Sequence, residues 1–75
     1  MNKKDRSALE ELMAKLEVIK EEIEGLDEYE REKFDNLPEG IQASDRGQAI
    51  EAAADSLDGI VADLENVLDS YREME

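Results

Sequence analysis

The stretch FDNLPEGIQASDRGQ, Phe34 to Gln48, decides the fold, because it breaks two long charged segments with the only proline and two of the four glycines. Pro38 pushes Leu37 away from α backbone, so a helix arriving from the N-terminal side ends near Asp35. Ser44 or Asp45 then offers an N-cap, with Asp45 and Gln48 in D-x-x-Q spacing. The connection between, about residues 36 to 44, is long enough for two helices to fold back on each other.

Outward from the stretch on the N-terminal side, apolar residues fall at Leu9, Leu12, Leu16, Ile19, Ile23 and Leu26. This 3-4 alternation is a heptad with Leu9 at a and Leu12 at d. Glu30 and Lys33 take the next two heptad positions, while Tyr29 and Phe34 stand beside them, so the stripe drifts as in a straight helix. A helix is expected from about Asp5 to Asp35, capped at Asp5 or by a Ser7–Glu10 capping box. Outward on the other side, Ile50, Ala53, Leu57, Ile60, Leu64, Val67, Tyr71 and Met74 keep the heptad unbroken, giving a helix over about 45–72. At about 1.5 Å per residue both helices are roughly 40–46 Å long. Matched lengths and a short connection predict a single domain over 1–75, an all-α antiparallel two-helix hairpin of coiled-coil type.

In the second helix each d residue is flanked by another apolar one, Ala54, Val61 or Leu68. That stripe is wider than a two-stranded seam requires. A lone hairpin would leave Val61, Leu68, Met13 or Val18 partly wet, and a 75-residue chain is near the lower limit for a self-sufficient core. The expectation is a homodimer closing a four-helix bundle, with Ala54, Leu57, Val61, Leu64 and Leu68 as candidate oligomer interface. Docking on a different protein would cover the same surface.

Composition excludes several functions. The chain has no cysteine and no histidine, which removes disulfides, thiolate metal sites and the commonest general base. The carboxylates do not follow the D-x-[DN]-x-[DN]-G calcium loop. No Gly-rich phosphate loop or nucleophile–base pair is present, so neither a catalytic, a cofactor nor a metal site is expected. No apolar run exceeds three residues, as at Ala52–Ala54, so no membrane span or signal-peptide core is expected and the default compartment is the cytoplasm. A net charge of -13 argues against direct contact with nucleic acid or anionic lipid and favours a basic protein partner.

Two groups of residues carry competing functional readings. Glu51, Asp55, Asp58, Glu65 and Asp69 line the face of the second helix opposite its apolar stripe, with no cation between Gln48 and Tyr71. They form either a nucleic-acid mimic that fills a basic groove on a partner or a solvated outer face. At the connection, Phe34, Leu37 and Ile41 form an apolar plug, Gly40 a left-handed turn, and Gly47 a close approach to the first helix. Arg46 would tie to Asp35, Glu39 or the last carbonyls of the first helix. Alternatively Leu37, Ile41, Gln42 and Arg46 make a partner-binding tip. A small-ligand pocket between protomers is a further reading, one the acidic ridge sets against phosphorylated ligands unless Arg46 or Lys33 lines it. Lys3, Lys4 and Arg6 are expected either to meet the acidic end of the second helix or to fray.

Phe34, Asp35, Asn36, Leu37, Pro38, Glu39, Ile41, Gln42, Ser44, Arg46 and Gly47 follow the pattern F-D-N-L-P-E-x-[IL]-Q-x-S-x-R-G. With the alanine-rich heptad helix behind it, about half of the chain resembles a group of small acidic hairpin proteins encoded by bacteriophages and prophages. The resemblance implies a phage or mobile-element origin, hence a bacterial host cytoplasm, and favours an inhibitor of a host system. It implies no established activity. The leading expectation is a non-catalytic interaction or assembly protein.

Overall fold

The computed structural model describes residues 1–74 and is all-α over them, with helices α1 (Lys3–Asp35), α2 (Glu39–Gln42) and α3 (Asp45–Arg72). The rod they form measures 58 × 15 × 13 Å. Ion pairs from Lys20 to Glu65 and from Arg31 to Asp55 show α1 and α3 running antiparallel, as the hairpin reading requires.

α1 begins earlier than Asp5 or Ser7. Asn2 has extended backbone and its side chain accepts from the Asp5 amide at 2.8 Å, so the cap lies a turn upstream of the expected capping box. The far end is where the proline places it: Asp35 is the last helical residue and Asn36 donates to the Glu32 carbonyl at 3.0 Å. α3 starts behind Ser44 and runs to Arg72, as the cap and heptad signals indicate.

The connection is tighter than a loop. Pro38 stands in the N-cap position of α2, where its fixed φ suits a helix start, and its carbonyl accepts from Ile41 and Gln42 at 2.8 and 3.0 Å. Gly40 lies inside this turn of helix and no glycine has positive φ, which corrects the expected left-handed turn. Gly47 is a close-approach site, but against α2 instead of α1: a Cβ there would overlap the Gln42 carbonyl oxygen. The chain therefore turns by abutting α2 on the first turn of α3.

Candidate interaction surface

The helical phase of the seam is the feature on which everything else depends. In α3 the buried positions are Gly47, Ala54 and Leu68, with Ile50, Leu57, Val61, Leu64 and Tyr71 half-buried. In α1 the half-buried row is Leu9, Met13, Leu16, Lys20, Ile23, Asp27, Glu30 and Phe34. These are positions a and e on both helices. Glu24 and Glu65 are half-buried beside them at b, where Lys20 holds both. The hairpin closes on a/e, not on a/d.

Ala54 and Leu68 are therefore only 1% and 2% exposed inside the hairpin. Leu68 is not left wet, and of the expected oligomer interface Ala54, Leu57, Val61, Leu64 and Leu68, Ala54 and Leu68 are buried within the hairpin while Leu57, Val61 and Leu64 are half-buried. Near the tip Ala54 lines one groove with Phe34 and Arg31, and Leu68 stands level with the turn of α1 between Leu16 and Lys20.

The d positions are the ones left over. Leu12, Ile19 and Leu26 on α1 are 56%, 47% and 56% exposed, and Ile60, Val67 and Met74 on α3 are 46%, 47% and 56% exposed. In an antiparallel pair sharing an a/e seam, the d positions of both helices turn to the same side. The register set by Lys20–Glu65 and Arg31–Asp55 puts Leu12 level with Met74, Ile19 with Val67 and Leu26 with Ile60. Three apolar layers about 10 Å apart thus run along one face. Single exposed apolar residues are ordinary, whereas a stripe of this kind is a candidate contact surface.

The opposite face carries the charges. Lys20 Nζ donates to Glu65 Oε2 at 2.6 Å and lies 3.6 Å from Glu24. Arg31 reaches Asp27 at 3.2 Å, Asp55 at 3.5 Å and Asp58 across the seam. Arg72 Nη1 binds Glu65 at 3.1 Å and Asp69 at 2.8 Å. Four of the five ridge carboxylates thus hold a cation of their own chain, and Glu51 alone has no ion pair among the described residues. The hydrogen bond from Lys20, then that from Arg72, holds the Glu65 carboxyl below its ordinary range. Between the two seam carboxylates, the hydrogen bond with Asp58 and partial burial push Asp27 up, while the same bond draws Asp58 down. Asp27 Oδ1 is buried without a well-aligned hydrogen-bond donor.

At the tip, the four candidate residues separate. Gln42 faces inward, its Nε2 donating to the Phe34 carbonyl at 3.0 Å, so it caps the last turn of α1. Phe34 and Leu37 are half-buried, whereas Ile41 and Arg46 are exposed. Arg46 makes neither an ion pair nor a side-chain hydrogen bond among the described residues, which corrects its expected tie to Asp35, Glu39 or the last carbonyls of α1; Gln42 takes the Phe34 carbonyl instead. The Lys3, Lys4 and Arg6 cluster likewise makes none with the end of α3 among the described residues; Arg6 instead lines a groove of about 650 Å³ at the open end with Leu9, Tyr71 and Arg72.

Periodicity finds every residue of the exposed face but assigns it to the seam. The signal that would have placed it correctly is small: the e positions of α1 read Met13, Lys20, Asp27 and Phe34, and the two charges disguise a contact row. Among the described residues no group of carboxylates is arranged to hold a metal ion, and no helix is long and apolar enough to cross a membrane.

Fold and surface together define the class: an antiparallel helical hairpin with one charged face and one uncovered apolar face. No family model, curated protein or solved structure matches the chain.

Proposed function

We propose that this is a non-catalytic assembly protein that works by self-association through the apolar d face. The observation that carries the reading is the pairing of a thin core with a long uncovered stripe. Among the described residues Ala54 and Leu68 are the buried apolar ones, no large side chain is fully buried, and the large d residues lie in line on one face. Burying that stripe supplies the apolar area the single hairpin lacks. The hairpin is 58 Å long and 15 Å wide, so one of its faces, the apolar stripe with its flanks, can supply the ~800 Å² per partner of a standard interface. The product is a four-helix bundle with a and d residues inside and the ion-paired ridges outside.

The nucleic-acid mimic has less support, since Lys20, Arg31 and Arg72 already occupy most of the ridge. The likeness of the tip to phage and prophage hairpins supports a mobile-element origin. Sedimentation equilibrium of the full chain at micromolar concentration tests self-association. A dimer that Leu26→Lys with Ile60→Lys converts to a helical monomer is the expected result; a wild-type monomer with cooperative unfolding would contradict it.

A further inference from the structure

Resting on that reading, we infer that the second copy lies antiparallel on the d face with its tip at the opposite end, α1 against α1, and Ile19 at the two-fold axis. Several observations converge on this register. Ile19 is the midpoint of α1, Lys3–Asp35, so a two-fold there overlaps α1 with its copy along its whole length. Leu12 then meets Leu26 of the second copy, and Ile19 meets itself, so the large apolar d residues of α1 face one another.

The flanking g positions also match. Lys15 falls opposite Glu22 of the second copy, and Ala8 opposite Tyr29, a small residue under a large one. Lys15 and Glu22 are both exposed and neither has an ion pair among the described residues. Where the d row turns polar, Lys33 lies opposite Asp5. On α3, Val67 meets itself and Asp63 falls opposite the neutral Ser70.

The competing arrangements bring like charges together. A slide of one heptad in either direction sets Glu22 on Glu22 or Lys15 on Lys15. With both tips at one end, α1 lies against α3 of the second copy and Glu22 faces Asp63. In a protein of net charge -13, such contacts add to an already unfavourable self-repulsion.

The sign of one charge reversal separates these arrangements. Glu22→Lys lowers the net negative charge, so relief of general repulsion, or removal of a clash with Asp63, would tighten the dimer. In the proposed register the introduced ammonium instead stands against Lys15 and weakens it. Sedimentation equilibrium in low salt should show Glu22→Lys and Lys15→Glu each raising the dimer Kd by roughly tenfold, since each change alters two symmetry-related pairs. The double variant Lys15→Glu/Glu22→Lys, whose net charge equals the wild type's, should return to within about threefold of it. Tighter association of Glu22→Lys, or no recovery in the double variant, overturns the register while leaving a dimer standing. A wild-type chain that stays monomeric overturns the register and the self-association reading together.

Discussion

Lys20 Nζ lies 2.6 Å from Glu65 Oε2 on one side of the hairpin, and this bond fixes which residues stand level on the other. One residue before Lys20, Ile19 is exposed; two after Glu65, Val67 is exposed; and the two are level across the rod. Charge clasp and apolar layer are thus the two sides of one register. Lys20→Glu should lower the melting temperature of the hairpin, because it opposes Glu24 and Glu65 and leaves a carboxylate near Leu68. Glu65→Gln should cost less, since the neutral amide still accepts from Lys20. Thermal unfolding followed by circular dichroism checks the order.

The glycines divide by surroundings. A methyl group at Gly47 would overlap the Gln42 carbonyl, so Gly47→Ala should destabilise by about 1–3 kcal/mol through displacement of α2. Nothing stands within 4 Å of a Cβ at Gly25 or Gly59, both inside long helices. Gly25→Ala and Gly59→Ala should each stabilise by up to ~1 kcal/mol. Urea denaturation of the three variants distinguishes the two environments.

Gln42 braces the tip and should behave as a structural residue. Gln42→Ala removes the side-chain bond to the Phe34 carbonyl, which keeps only the Leu37 amide at 3.1 Å, at a cost of about 1 kcal/mol. Amide exchange of Leu37 and Asn36 should rise with it, while the dimer Kd stays within about a factor of two, as for a site remote from the interface. A weakened dimer with unchanged stability would place Gln42 at a contact.

The seam carboxylates give a pH dependence of defined sign. Asp27 is held above its ordinary value of 3.8 by Asp58 and by burial, so the folded chain binds that proton more tightly than the unfolded chain. Its contribution grows as pH falls from neutrality through the raised value. Asp58 is shifted down, so its contribution persists over the same range and is lost only below the ordinary value. Arg31 pairs with both carboxylates of the pair and also reaches Asp55. Stability should therefore rise on mild acidification, beyond the relief of net charge. Asp27→Asn should flatten the rise; an unchanged pH profile in that variant would remove the seam pair as its cause.

How far the fold is legible depends on which residues carry the signal. Pro38, Ser44 and the unbroken heptad from Ile50 to Met74 locate the turn and α3 closely, because caps and periodicity are local properties. The start of α1 is missed because Asn2, Asp5 and Ser7 are all competent caps, and only the fold shows that Asn2 is used. α2 is missed because four residues give no period. The seam is misassigned for a different reason. A heptad names a, d and e as apolar without saying which flank of a meets the partner helix. That choice goes with Ala54 and Phe34 lining one groove and with Lys20 and Asp27 finding partners on α3, all of them long-range relationships.

The central claim is that the d face of one chain covers the d face of another, and a chain without cysteine allows a direct test. Ile19→Cys, purified reduced and then mildly oxidised at micromolar concentration, should convert almost wholly to a disulfide-linked dimer. Glu17→Cys, on the charged side of the same turn, should remain monomeric on a non-reducing gel under the same conditions. Cross-linking of Ile19→Cys no faster than that of Glu17→Cys would contradict the account.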